Sequence, residues 1–148
     1  MITETLNILF NRDLSKLKLE MESYKNKEAI WHVDKAIPNS AGNLCLHLIG
    51  NLNTYIGAEL GKTGYVRNRE LEFTLTNIPL EVLIKKIDET IVIVETTLKK
   101  LTDEQLKSEY PVLVFQTKTS TEYLLIHLAT HLSYHLGQIN YHRRLLDY

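Results

Sequence analysis

The sequence predicts an all-α fold, a four-helix bundle with long crossover connections. Three observations predict it. Apolar residues recur at spacings of three and four over long stretches, helix-start signals precede those stretches, and two connections are long enough to cross a bundle.

Leu6, Phe10, Leu14, Leu17, Met21 and Tyr24 define the first amphipathic helix, over residues 3–30. Pro38 follows, and Asn39 and Ser40 are N-caps for a second helix over residues 41–60. Gly61 stands where a left-handed C-cap is expected. The third helix opens at Pro79, a suitable first-turn proline. Leu80, Ile84, Ile87, Ile91, Val94, Leu98 and Leu101 continue it as one stripe. The β-branched run Ile91-Val92-Ile93-Val94 has strand character, but the unbroken stripe on both sides favours helix. Thr119 and Glu122 match a capping box, and the fourth helix runs from there to Leu146. The connections span residues 61–78 and 102–120; loops above ~12–15 residues are uncommon and often functional. The second contains Tyr110-Pro111-Val112-Leu113-Val114-Phe115, which reads as a short strand or a packed arm.

Composition narrows the function. The 148 residues, 44% hydrophobic and 24% charged, form one domain over residues 1–148 with no repeat or linker. Seventeen basic against eighteen acidic residues, with no basic tract, argue against a nucleic-acid partner and against a polybasic membrane anchor. No apolar run approaches the ~18 residues of a membrane span. Glu4 and Asn7 before Arg12 do not read as a signal peptide. The lone Cys45 cannot form an intramolecular disulfide, so it reads as a small apolar core residue and a cytoplasmic location is expected.

The histidines carry the chemistry. His127, His131 and His135 are four residues apart on the fourth helix, so each adjacent pair shares a face. All three span roughly 12 Å at ~1.5 Å per residue, too far for one ion. One adjacent pair can bind, and a zinc-like ion then needs a third protein ligand from another helix. His47 is the best candidate. It lies on a polar stripe, Asn43, His47, Asn51 and Thr54, of an otherwise apolar second helix. A core histidine bonded to a backbone carbonyl is the commoner reading of His47 alone; the His-x-x-x-His helix reverses that preference. His32, in a loop after Trp31, reads as solvated. His142 reads as lying near the bundle end, bonded to water or a carboxylate. His142, Arg143 and Arg144 also suit a helix C-terminus.

The segment Arg67-Asn68-Arg69-Glu70-Leu71-Glu72-Phe73 offers Arg67 and Arg69 as receivers of a substrate carboxylate. Ion pairing of these arginines with Glu70 and Glu72 is the plainer and favoured reading. No Asp or Glu falls on the predicted ligand faces, so no dedicated carboxylate base is evident; water, Tyr134, His127 or a loop residue is left to move a proton. No Ser-His-Asp order, phosphate loop or nucleotide fingerprint is present.

Residues 39–52 of the second helix, the segment 67–73, and His131-Leu132-Ser133-Tyr134-His135-Leu136-Gly137-Gln138 together resemble the DinB/YfiT-like superfamily of metal-binding four-helix bundles, and within it a bacterial branch without an assigned activity. The resemblance spans nearly the whole chain. It implies a divalent cation held by His47, His131 and His135, choosing between two histidine pairs that spacing leaves open. Zinc or nickel comes first, iron or manganese after. Asn43, Asn51, His127 and Gln138 then become candidates to support the ligands by hydrogen bonds, and Gly137 a site of close helix approach. The implied function is transfer of a low-molecular-weight thiol to a small electrophile, or metal-assisted hydrolysis. A non-catalytic metal- or ligand-binding bundle, a sensor or scaffold, is the alternative. The segment 61–78 is expected to cover the substrate cleft. A homodimer follows from family habit and from the apolar residues Leu124, Leu125, Leu128, Leu132, Leu136 and Ile139 of the fourth helix.

Overall fold

Where side chains compete with the backbone for hydrogen bonds, the predicted helices stop. In the structure, a computed structural model describing residues 1–148, the chain is all-helical. Helix α1 (Ile2–Glu22) ends at Ser23, short of residue 30. The Ser23 hydroxyl donates to the Leu19 carbonyl at 2.6 Å, and the Asn26 side chain caps a separate 3-10 turn, Lys27–Trp31. Such local bonds offer the backbone an alternative to continued helix.

Helix α2 (Ala41–Leu52) starts on Ser40, whose hydroxyl accepts from Asn43 N–H. It continues as a π turn, Asn53–Ala58. Gly61 is not the left-handed cap: Lys62 takes that conformation, at φ 55°. Glycine is required at 61 for another reason, since a Cβ there would stand 2.8 Å from the Gly57 carbonyl oxygen. Two short helices escaped the sequence reading: α3 (Arg69–Thr74), capped by Asn68, and α5 (Asp103–Lys107), opened by a Thr102–Gln105 capping box. Between them lies α4 (Leu80–Lys100), with Pro79 immediately before its first turn.

Helix α6 (Thr121–Leu146) is capped by Ser120, and the expected Thr119–Glu122 box does not form. Thr119 is held outside the helix because its carbonyl accepts from Tyr110 N–H at 2.8 Å. Residues 110–115 accordingly form a packed arm, tied by one isolated Glu109–Ser120 bridge, and no strand. Tyr110 is buried, and its hydroxyl donates to the Tyr55 carbonyl at 2.5 Å.

Helix α1 packs on α4 and α6, and α2 packs on α4 and α6, around one core of 28 buried residues. Leu124, Leu125, Leu128, Leu132 and Ile139 lie inside that core, and Leu136 packs against it. They supply no outer face, which removes the sequence argument for a dimer. The exposed row of α6 is Tyr123, Ile126, Tyr134, Tyr141 and Leu145. Gly137 does not bring a helix close, since a Cβ added to it would meet nothing within 4 Å. No helix is long and apolar enough to cross a membrane.

His142 is also corrected. It is buried, not bonded to water or a carboxylate. Its Nε2–H donates to the His32 carbonyl at 2.8 Å, which leaves Nδ1 to accept from the Tyr24 hydroxyl at 2.7 Å. The bond joins residues 118 apart in sequence and fastens the end of α1 to the end of α6.

Candidate metal centre

Every residue of α2 is buried, so the polar side chains on it must find partners within the protein. His47 finds two on opposite sides of its ring. Its Nδ1 lies 3.1 Å from Glu72 Oε1. A carboxylate is an acceptor only, so Nδ1 carries the proton and Nε2 is a bare lone pair. That Nε2 is 3.3 Å from Nε2 of His131 on α6. One turn further along α6, His135 repeats the pattern. Its Nδ1–H donates to Gln138 Oε1 at 2.7 Å, and its Nε2 is 3.2 Å from the same His131 nitrogen. The ligand atoms of His47, His131 and His135 all lie within 4.8 Å of one another.

These residues fit a cation. Tetrahedral nitrogen ligands ~2.0–2.1 Å from an ion stand roughly 3.3–3.4 Å apart, close to the two separations observed. Two of the three nitrogens face inward as acceptors, and His131 has one proton to share at most. Its Nδ1 is buried without a partner, as is Oδ1 of Asn51 on the face of α2 that carries His47. Lone pairs therefore exceed donors at this point.

Burial, reinforced by the neighbouring imidazoles and Arg67, lowers the His131 pKa to about 4. Burial also lowers that of His47, although its bond to Glu72 opposes the shift. Both rings are neutral near pH 7, the form that binds metals. In the metal-free protein this makes the fold acid-sensitive. As pH falls below the ordinary histidine value of 6.5, the unfolded chain takes up protons that folded His131 refuses. Stability is lost from there down to about pH 4, where the folded ring protonates as well. Denaturant midpoints of chelator-treated protein should be lower at pH 5.5 than at 7.5 for this reason, and His131→Phe should flatten the difference. Equal slopes in both proteins would refute it.

The structure supplies the carboxylate that the sequence reading missed. Glu72 is buried on α3, where it joins His47 to Arg67. Arg67 grips it bidentately, Nε to Oε2 at 2.8 Å and Nη2 to Oε1 at 2.9 Å. The guanidinium also approaches His47 Nδ1 at 3.4 Å, but both groups are donors, so this is a contact and no bond. Glycine at position 50 makes room, because a Cβ there would overlap Glu72 Oε2. The amide of Asn43 donates to the carbonyls of Glu72 at 3.0 Å and Leu75 at 2.7 Å, pinning α3 onto α2. A readable signal existed, Asn68 as a cap before a charged, amphipathic run, but nothing local said that this turn would fold against His47.

Other predicted residues divide. Gln138 supports His135 as expected. His127 does not join the cluster; its ring packs edge-on against Phe115, 4.7 Å between centroids. Asn43 acts through α3 and not on a ligand. Arg67 is consumed by Glu72, so it is not a free carboxylate receiver. Arg69 lies over Phe73 at 5.9 Å, and Phe73 covers His47 at 5.0 Å. The segment 61–78 thus reaches the site through Arg67, Glu72 and Phe73.

A search of curated proteins finds no match to the chain. A family match does cover the helices that carry all three histidines and the turn that carries Glu72. Over residues 8–147 the chain belongs to the family described as protein of unknown function (DUF1572).

Proposed function

We propose that the chain is a DinB/YfiT-like four-helix bundle that holds one divalent cation on His47, His131 and His135. Its proposed activity is transfer of a low-molecular-weight thiol to a small electrophile, or metal-assisted hydrolysis. One observation supports this above the others: Nε2 atoms from two helices face one point, with two of the ring tautomers set by Glu72 and Gln138. A divalent cation, when bound, supplies Lewis acidity that lowers the pKa of a neighbouring water or thiol.

The chain's own residues set how much of that charge is felt. The three imidazoles are neutral, and Arg67 balances the Glu72 carboxylate. No anionic ligand therefore offsets the cation. Zinc and nickel are the proposed ions, with iron or manganese next; imidazole donors suit zinc, nickel and iron, whereas manganese prefers oxygen ligands. Glu72 and Gln138 hold the Nδ1 protons and keep both Nε2 lone pairs aimed inward. Tyr134, which accepts from Gln138 Nε2 at 3.4 Å, and His127, whose ring stands 6.2 Å from that of His131, are the groups proposed to carry a proton.

The test is metal analysis of untagged protein followed by assays of thiol transfer and hydrolysis with and without chelator. Chelator-sensitive turnover that returns with the cation supports the reading. Stoichiometric metal with no turnover across both assay classes favours the non-catalytic alternative. The same proposal includes a homodimer; light scattering at the monomer mass of 17.2 kDa would refute that part.

A further inference from the structure

A cavity of about 370 Å³ lies beside the candidate centre, between α6 and the segment that leads into α2. Its walls include Ile37, Pro38, Leu44, Gln138, Tyr141 and Leu145. We propose that it binds an uncharged, mainly apolar small molecule, the electrophile or ester-like substrate of the activity proposed above, on which reading this role rests.

Position is the first argument. Leu44 precedes His47 by three residues on α2, and Gln138 follows His135 by three on α6, so the cavity begins one helical turn from both. Gln138 belongs to both places. Its Oε1 accepts from His135, while its side chain lines the cavity and its Nε2 makes only a 3.4 Å bond to Tyr134. That amide N–H is placed to donate to a ligand oxygen.

Charge is the second argument. None of the nine lining residues is Lys, Arg, Asp or Glu. His142 also borders the cavity, but both its ring nitrogens are engaged and burial lowers its pKa, so it stays neutral. An ion placed among these walls would lose hydration with no opposite charge among the lining residues to compensate, although the Arg144 guanidinium stands 5.2 Å over the rim residue Tyr141. Apolar walls with a few polar groups are the usual lining of small-molecule sites, and the volume is at the lower end of their ~300–1,000 Å³ range. The exposed Tyr141 and Leu145 form the rim.

The experiment titrates 1-naphthol into metal-free and cation-loaded protein and follows backbone amide shifts by NMR. Saturable shifts at Leu44, Gln138 and Leu145 are expected in both forms. 1-Naphthalenesulfonate, with the same rings and a charge, should bind at least about tenfold more weakly. Leu145→Glu should weaken 1-naphthol by about tenfold with an unchanged melting temperature, since the side chain is 60% exposed. No saturable shift, equal binding of the sulfonate, or unchanged affinity in Leu145→Glu would each overturn the proposal. The two readings fail separately. Naphthol binding in a protein that takes up no cation keeps the cavity and sinks the metal centre, whereas cation uptake without naphthol shifts does the reverse.

Discussion

His131→Ala is expected to abolish stoichiometric cation binding. His131 Nε2 lies between the other two ligand atoms, 3.3 Å from that of His47 and 3.2 Å from that of His135. Without it two nitrogens remain on separate helices, below the three protein ligands a zinc-like site requires. The loss should exceed the ~10–100-fold that outer hydrogen-bond partners contribute to metal affinity. Folding should survive, because His131 brings to the metal-free protein a buried unpartnered Nδ1 and a depressed pKa. Metal analysis after dialysis, with the melting temperature of chelator-treated protein alongside, is the measurement. His32→Ala, whose site is remote from the cluster, should keep its metal. A His131→Ala protein that retains one cation per chain would remove His131 from the site.

Glu72→Ala is expected to have the largest effect on stability. Glu72 and Arg67 have side chains only 7% and 14% exposed, and both carboxylate oxygens are engaged by the guanidinium. Removing the acid leaves a buried cation unpaired, a change that costs roughly 3–5 kcal/mol. The lower part of that range is expected, because Arg67 also lies over the Tyr55 ring at 5.8 Å. His47 Nδ1 loses its acceptor at the same time, so metal affinity should fall ~10–100-fold. The double variant Arg67→Met, Glu72→Leu separates the two roles. It should regain much of the stability, since no charge is left buried, yet leave metal affinity low. Recovery of both would make Glu72 a purely structural partner of Arg67.

Periodicity reads the face that a helix buries, and four long helices were legible on that basis. Leu6 through Met21 and Leu124 through Leu132 entered the core as their spacing required, as did Ile87, Val94, Leu98 and Leu101, while Leu80, Ile84 and Ile91 pack against it half-buried. The pairing of His131 with His135 was equally legible, because it follows from one turn of one helix. His47 as a partner rested on its polar stripe and on the family resemblance, since spacing within α6 could not select a residue on α2.

Helix ends were less legible. Ser23, Asn26 and Thr119 each make a bond, local or to a neighbouring segment, that competes with the helix, and stripe spacing does not record such competition. The outcome depends on what each backbone group meets once the chain is packed.

The amphipathic pattern was sufficient to establish which residues form the helical core and which two histidines share a turn. It is a short-range code, repeated every three or four residues. Contacts between distant segments leave no such period. Asn43 reaches the carbonyl of Glu72 across 29 positions, His47 reaches its carboxylate across 25, and Tyr24 reaches His142 across 118. Packing thereby turned a charged loop residue into the buried partner of His47 and buried His142, while the pairing of Arg67 with Glu72 was the reading the sequence already favoured. Each of these follows from the rule that a polar group removed from water must find its partner wherever the fold brings one near.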